Sequence, residues 1–400
     1  MRFLIKLLAT ILPFILLQHE ALATSSLLVL PVTKRTDAAK SPLYSVQPYF
    51  ENSQYTQQDL LIDLDAPFTW HSGLPNQESC QACPVLVRCD SNQCTDIQNT
   101  FAYNNPSCPP PTNDSIHPVT GACDTPVLPT FDDKIKIPFY NGLVTTSDLY
   151  TTHPTAAVSP PDLFNTFPQG VLGVLALSTS NYALPAYIND PVEKIVALCL
   201  SSNSDNGVLL FGNGPYYLTP QPTVDVRSYL SYTALLKHPK SFGYFIGVNS
   251  VVIKKRSLNL TATTTTKIST LDPYTVMGSD VYSWVVRRVI SVTKRVPRAN
   301  VVAPFGVCYN ISTGPVKIPN IDLVLQDGKT WTISTANSIK QVDNNVACLA
   351  FVDGGATSEH GILIGTYQIE DNFLMFNWKN STLGFSSSLT LKKSSCSFHF

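Results

Sequence analysis

The ten cysteines restrict what this 400-residue chain can fold into more than any other feature of its sequence. Six of them crowd into one short stretch: Cys80, Cys83, Cys89, Cys94, Cys108 and Cys123. The other four are spread over the rest of the chain: Cys199, Cys308, Cys348 and Cys396. An even number of cysteines predicts disulfide bonds if the chain is exported to an oxidising compartment. A metal site is not expected, because the Cys-x-x-Cys pair at 80–83 has no second Cys or His pair at zinc-ligand spacing.

The N-terminus predicts this export. Residues 1–23 begin with Arg2 and Lys6, continue through a mostly apolar run at 3–17, and end in Ala-Leu-Ala, as a cleavable signal peptide does. A membrane anchor fits less well, because Lys6 and Pro13 interrupt a run that is short for a bilayer span. Four N-glycosylation acceptors agree with a secreted, extracellular protein that does not act at a membrane: Asn113, Asn259, Asn310 and Asn380.

Composition favours an all-β fold with few short helices. The chain has 30 prolines and 19 glycines, and it is rich in Thr, Val and Tyr, which favour short strands and turns over long helices. A net charge of −1 gives no basic footprint for a nucleic acid. Since 400 residues exceed one compact core, we expect two domains.

The domain boundary is predicted at the turn cluster SSNSDNG, residues 201–207. This gives a signal peptide at 1–23, an N-terminal β lobe at 24–205 and a C-terminal β lobe at 206–400. Within the first lobe, residues 77–129 form a Cys-, Pro- and Asn-rich insertion with little periodicity. One helix is predicted after Ser279-Asp280, which can cap it. Val281, Val285, Val289 and Val292 would then share one face.

The two halves of the chain resemble each other. LLIDLDAPFTW (60–70) corresponds in style to KISTLDPYTVM (267–277), and GVLGVLAL (170–177) corresponds to GILIGTYQIEDNFLMF (361–376). Each half thus has a strand that ends in a polar tip and a later glycine-bracketed apolar strand. This pattern indicates an internal duplication and two similar β lobes.

These stretches, together with SLLVLPVTK (26–34), CLSSNSDNGVLLFGNGPYYL (199–218) and CLAFVDGG (348–355), resemble the plant pepsin-like aspartic protease superfamily. The resemblance is to its catalytically degenerate branch of xylanase and endoglucanase inhibitors, extracellular dermal glycoproteins, basic 7S globulins and γ-conglutins. It implies an all-β, bilobal pepsin-like fold with a central cleft. It also implies bridges between Cys308 and Cys348 and between Cys199 and Cys396, while the pairing of the six clustered cysteines stays open.

The resemblance also identifies the catalytic positions. The family's proteases present Asp-Thr/Ser-Gly from each lobe, and their two aspartates share one proton, so that one serves as base and the other as acid. Here Asp63 is followed by Leu64 and Asp65, and Ser269 stands in the place of the second aspartate. A serine hydroxyl cannot share the proton. No catalytic residues are therefore expected, and Asp63 and Ser269 are vestigial, with Asp63 serving as a structural carboxylate.

Two alternatives remain at this point. Asp63 could form an unusual dyad with Asp65 or with Asp272, which would make the chain an atypical active aspartic-type endopeptidase. The fold could also serve a storage or ligand-binding globulin.

The resemblance favours a third function, in plant defence. It implies a monomer without cofactors that is secreted to the apoplast or cell wall and that binds and inhibits a microbial glycoside hydrolase, a xylanase or an endoglucanase. The candidate target-binding residues are His360, Tyr367 and Arg298. Where relatives read Gly-Gly-His, this chain reads Gly365-Thr366-Tyr367, so the imidazole is absent there.

Overall fold

In the computed structural model, the described residues are 27–37, 42–50, 56–72, 134–140, 145–159, 167–218, 221–260, 265–356, 358 and 360–398, with short backbone stretches between 85 and 132. The predicted signal peptide, nearly all of the insertion at 77–129, its six cysteine side chains and Asn113 lie outside the described residues.

The regular secondary structure of the described residues consists mostly of strands, which confirms the all-β prediction. The first sixteen are Leu27–Arg35 (β1), Leu43–Val46 (β2), Tyr49–Phe50 (β3), Thr56–Gln57 (β4), Asp59–Asp63 (β5), Thr69–Ser72 (β6), Val85–Leu86 (β7), Ser115–Ile116 (β8), Cys123–Asp124 (β9), Thr130–Asp132 (β10), Ile135–Tyr140 (β11), Thr145–Thr152 (β12), Thr155–Ser159 (β13), Val171–Ala176 (β14), Ile195–Cys199 (β15) and Gly207–Phe211 (β16).

The strands continue through the second half as Tyr217–Leu218 (β17), Gln221–Asp225 (β18), Ser231–Ala234 (β19), Leu236–His238 (β20), Ser241–Ile253 (β21), Arg256–Asn259 (β22), Thr265–Ile268 (β23), Thr275–Met277 (β24), Arg298–Ala299 (β25), Cys308–Asn310 (β26), Ile321–Leu325 (β27), Thr330–Ile333 (β28), Ile339–Gln341 (β29), Val346–Leu349 (β30), Phe351–Asp353 (β31), Ile362–Ile364 (β32), Phe373–Asn377 (β33) and Thr382–Phe385 (β34).

Within residues 134–398, the α-helices of the described residues are Ser279–Val292 (α1) and Thr366–Ile369 (α2). Short 3₁₀ helices lie at Leu184–Tyr187, Val226–Tyr229 and Leu389–Lys392. Helix α1 buries Val281, Val285 and Val289 as predicted, whereas Val292 is only half-buried at the end of the helix. The predicted cap is wrong. Gly278 precedes the first turn, and the Ser279 hydroxyl instead donates to Asp353 Oδ1 at 2.7 Å.

The strand pairing confirms the internal duplication. In the first motif, β14 pairs in parallel with β5 and antiparallel with β6, and β13 pairs in parallel with β6. In the second motif, β32 pairs in parallel with β23 and antiparallel with β24, and β31 pairs in parallel with β24. The quoted segments that resemble each other therefore supply three of the four strands of an arrangement that occurs twice, and β13 and β31 supply the fourth. Ile62 and Ile268, one from each motif, are fully buried in the same hydrophobic cluster.

The end of the chain returns to the sheet that contains the first motif. Strand β33 pairs antiparallel with β15, and β34 pairs with both β33 and β19. A disulfide joins Cys199 at the end of β15 to Cys396 near the C-terminus, with an S–S distance of 1.99 Å. A second disulfide joins Cys308 to Cys348, which are cross-strand neighbours in β26 and β30. Both bridges are the ones that the resemblance implies. The boundary at 205/206 stays a prediction.

Candidate functional site

The first polar strand tip ends in a buried carboxylate. Asp63 is the last residue of β5 and only 6% exposed. Its Oδ1 accepts a hydrogen bond from the backbone N–H of Asp65 at 2.8 Å, and its carbonyl oxygen accepts one from the N–H of Leu177, also at 2.8 Å. This carboxylate thus closes the turn after β5, as a structural side chain does.

Burial and a neighbouring charge disfavour the ionised form of Asp63. Removal from water is the larger cause, the charge of Asp65 is the second, and together they raise the pKa of Asp63 from 3.8 to about 7.

Asp65 stands where the proteases have glycine, and residues far along the chain accommodate it. The Lys267 ammonium on β23 forms an ion pair and hydrogen bond with Asp65 Oδ2, and the Ser241 hydroxyl donates to Asp65 Oδ1. Burial raises the pKa of Asp65, but the Lys267 charge and these hydrogen bonds outweigh it, so that the pKa lies below the usual value. A Cβ on Gly243 would lie 2.9 Å from Asp65 Oδ1, so glycine at 243 provides the space that this carboxylate needs.

The second strand tip carries no carboxylate at the corresponding position. Ser269 is 8% exposed, and its hydroxyl donates to Asp272 Oδ2 at 2.8 Å. Ser269 Oγ also accepts hydrogen bonds from the backbone N–H groups of Leu271 and Asp272, both at 3.2 Å. Ser269 therefore organises the turn after β23, and it holds Asp272 in that turn.

A side-chain hydrogen bond also connects the two motifs. Thr270 is 1% exposed, and its Oγ1 donates to the carbonyl oxygen of Ile62 at 2.7 Å. In the first motif the corresponding residue is Leu64, which lacks a hydroxyl and is buried in the hydrophobic core.

Sequence reasoning identified Asp63, Asp65, Ser269 and Asp272 but missed their partners. Lys267 lies two residues before Ser269, so the period of a strand could have placed it on the same face. Nothing in the local sequence could have indicated Ser241 and Gly243, because they reach Asp65 only through the fold.

Two of the three candidate target-binding residues are buried, which is contrary to the exposed position that such a role requires. His360 is 9% exposed, and the centre of its ring lies 5.3 Å from that of Phe245 and 5.6 Å from that of His238. Tyr367 is 8% exposed, and its hydroxyl is within hydrogen-bonding distance of the carbonyl oxygens of Ala336 and Ile339, at 2.9 and 2.6 Å. Both aromatic rings pack inward because apolar and backbone partners surround them.

Arg298 is exposed, with its guanidinium 4.6 Å from the centre of the Tyr309 ring, and it stays a candidate. The predicted glycosylation acceptors Asn259, Asn310 and Asn380 are exposed as well, and their modification stays a prediction.

Comparisons with known proteins agree with this geometry. Residues 51–213 match the family described as xylanase inhibitor N-terminal, and residues 243–387 match the family described as xylanase inhibitor C-terminal. The chain is 31% identical to "Chitinase CLP" of Oryza sativa subsp. japonica over 93% of its own length and 91% of that protein.

Two other relatives match this chain over a smaller share of its length. "Probable aspartic proteinase GIP2" of Nicotiana benthamiana is 36% identical over 58% of this chain and 59% of that protein. "Gamma conglutin 1" of Prunus dulcis is 34% identical over 67% of this chain and 65% of that protein. The chain thus spans somewhat less than two thirds of the length of either relative.

Solved structures show the same fold. The crystal structure of EDGP superposes with a TM-score of 0.77 at 28% identity, covering 94% of this chain and 98% of that one. Conglutin gamma, a basic 7S globulin from lupine seeds, also gives a TM-score of 0.77, at 26% identity, covering 93% of this chain and 98% of that one. With two family models spanning most of its length and a serine in place of the second aspartate, the chain belongs to the xylanase inhibitor family, within the catalytically degenerate branch of the pepsin-like fold.

Proposed function

We propose that the protein is a secreted, proteolytically inactive homologue of the aspartic proteases that binds and inhibits microbial cell-wall-degrading glycosidases in plant defence. The absence of proteolytic activity is proposed from the side chains at the ends of β5 and β23. Ser269 replaces the second aspartate, and Asp65 is paired with Lys267. The match of both halves of the chain to xylanase inhibitor families supports the proposed inhibition of glycosidases.

The strand tips lack the chemistry of an aspartic protease. Peptide hydrolysis on this fold needs one carboxylic acid and one carboxylate that share a proton. Asp63 can supply one carboxyl group, but the Ser269 hydroxyl does not ionise near neutral pH. Asp65 is held ionised by Lys267, and Asp272 accepts the Ser269 hydroxyl. Neither alternative dyad is therefore favoured.

Inhibition of a glycosidase is compatible with the surface of the chain. Such enzymes carry a pair of carboxylates in an open groove, and a cation on a rigid binding partner can pair with them. Among the three candidate residues, Arg298 is the exposed cation, and the stacked Tyr309 ring holds its guanidinium in place. A planar guanidinium suits a carboxylate, because two parallel hydrogen bonds can form.

The test is a panel of microbial xylanases and endoglucanases, incubated with the purified glycosylated protein at stoichiometric ratios. We expect a saturable loss of glycosidase activity, together with no cleavage of casein at acid pH. We also expect Arg298→Gln to weaken the inhibition and Lys379→Gln, at another exposed cation, to leave it unchanged. Pepstatin-sensitive cleavage of casein would overturn the proposal in favour of an active endopeptidase.

A storage or ligand-binding globulin is the second candidate. It is favoured by relatives with the names gamma conglutin and basic 7S globulin. This function predicts neither inhibition nor proteolysis, and it predicts that the protein is abundant in a storage tissue.

The proposed location is extracellular, from the predicted signal peptide. Within the described part of the chain, no helix is both long enough and apolar enough to cross a membrane.

A further inference from the structure

The charges of the chain are unevenly distributed in its second half. Residues 281–320 contain six Lys and Arg residues and no Asp or Glu, although the whole chain has a net charge of −1. Five of the six lie in or just after helix α1: Arg287, Arg288, Lys294, Arg295 and Arg298.

The fold places a second group of cations beside the first. Lys254, Lys255 and Arg256 form the turn between β21 and β22 and the start of β22. The Arg288 guanidinium donates to the carbonyl oxygens of Ile253 and Lys254, both at 3.3 Å, which fixes the turn against the helix. We call these eight cations the basic surface. Arg288 is half-buried, and the other seven are exposed.

The carboxylates of the described residues do not pair with this surface. None of the ion pairs between described residues involves any of its eight cations. Asp322, which lies across from Val252 in the neighbouring strand, accepts the Thr332 hydroxyl at 2.7 Å. Asp280 lies at the opposite end of α1.

Folding requirements explain only part of the basic surface. Lys294 and Arg295 follow the C-terminus of α1, where positive charges interact favourably with the helix dipole. The turn gives no such reason for its lysines. Lys254 and Lys255 have φ values of 48° and 62°, a conformation in which Gly or Asn costs less than Lys. Two lysines in this turn therefore raise its conformational energy, and no ion pair within the described residues compensates for it. Residues that are retained at such a cost point to a binding partner outside the protein.

We propose that the basic surface binds an acidic polysaccharide of the polyuronate class outside the cell. The turn and the helix bring exposed charges together on one continuous surface, which suits an extended, flexible polyanion. Arginine forks match carboxylates, and the lysines supply point charges. The predicted export argues against nucleic acid and against the anionic lipids of the cytoplasmic leaflet. This binding does not depend on the proposed inhibition of glycosidases, although Arg298 belongs to both proposed binding surfaces, and the turn variants below leave Arg298 unchanged.

The first experiment compares two forms of one polymer. Binding of the intact glycosylated protein to polygalacturonate and to fully methyl-esterified polygalacturonan is measured by co-sedimentation over a range of NaCl concentrations. We expect binding to the acidic form that weakens steadily as salt rises, and little binding to the ester. Equal binding to both forms, or to neither, overturns the proposal.

The second experiment localises the binding with matched variants. The triple variant K254Q/K255Q/R256Q removes three charges from the turn, and K237Q/K240Q/K379Q removes three exposed lysines elsewhere. We expect the first to weaken binding about tenfold, which is about 1.4 kcal/mol, because three exposed ion contacts of modest strength are lost. We expect the second to have little effect.

The melting temperatures of both triple variants serve as the folding control, since Gln has the same backbone cost as Lys in the turn. Equal losses in the two variants overturn the proposal. Because Val301 in the same region is 65% exposed, vesicles with anionic lipid are tested in parallel. Tighter binding to these vesicles than to polygalacturonate also overturns it.

Discussion

Asp65 illustrates how a single residue with the wrong charge and size can be fitted into a buried strand tip. Its charge is matched by Lys267, and its volume is matched by the missing side chain of Gly243. The side chains of Lys267 and Asp65 are only 17% and 25% exposed, so the pair is poorly screened by water. The three residues therefore depend on one another, and we expect their mutational effects to be non-additive.

Replacement of Lys267 tests this dependence. Lys267→Met leaves the Asp65 carboxylate without its cation, and we expect the free energy of unfolding to fall by about 2 kcal/mol. The double variant Lys267→Met/Asp65→Gly should recover most of this loss, because no unpaired charge remains. Urea denaturation at neutral pH measures both, with Lys237→Met as the exposed-lysine control. A double variant as unstable as the single one would contradict the pairing.

The raised pKa of Asp63 predicts a pH dependence of stability. The pKa is about 7 in the folded chain against a usual value of 3.8, so between these values the folded chain holds a proton that the unfolded chain has released. The free energy of unfolding should then fall as the pH rises from about 4 to about 7. Asp63→Asn keeps the acceptor for the Asp65 N–H and removes the titration.

We expect Asp63→Asn to lose this slope and to be more stable than the wild type above pH 7 by about 4 kcal/mol, because the pKa differs by about three units between the folded and unfolded chain. Urea midpoints of the two proteins at several pH values measure the difference. Parallel pH profiles would show that Asp63 ionises without cost.

At the scale of elements, local pattern and global packing contribute differently to α1. The spacing of its valines determines which face is buried, whereas its first residue depends on a tertiary contact, since Ser279 binds Asp353 instead of capping the helix. The strands show the same division. Apolar runs such as β5 and β14 are visible in the sequence. Their parallel pairing is not, because it depends on how the roughly hundred residues between them cross back to the start of the neighbouring strand.

Truncation of helix valines tests the buried face. Val285 is fully buried and Val292 is half-buried, so Val285→Ala should lower the free energy of unfolding by about 2 kcal/mol and Val292→Ala by less than about 1 kcal/mol. Denaturation followed by circular dichroism compares the two variants. A larger effect at Val292 would contradict the orientation of α1.

For the whole molecule, the duplicated motifs and the return of the C-terminus determine the architecture. Strands β33 and β34 complete a sheet that begins at β1, and the Cys199–Cys396 bridge holds this return in place across a sequence separation of 197 residues. The Cys308–Cys348 bridge closes a separation of only 40 residues.

Removal of the two bridges should therefore have different effects. In the chain-entropy account, Cys199→Ala/Cys396→Ala costs about 5 kcal/mol and Cys308→Ala/Cys348→Ala about 4 kcal/mol. Guanidinium denaturation of the two double variants under non-reducing conditions measures the difference. A smaller loss for the longer bridge would show that native packing, not loop closure, dominates.

Residue types and their short spacings in the sequence were enough to predict an export signal, the predominance of strands, the buried face of α1, the internal duplication and the loss of the second aspartate. Each of these depends on residue type at short spacing, which is visible without the fold. The folded chain alone brings Lys267 to Asp65, 202 residues away, joins Thr270 to Ile62, and buries His360 and Tyr367. It also brings a turn and a helix together as one basic surface. These contacts join residues far apart in the chain, and their positions follow from the packing of the whole core, not from any local pattern.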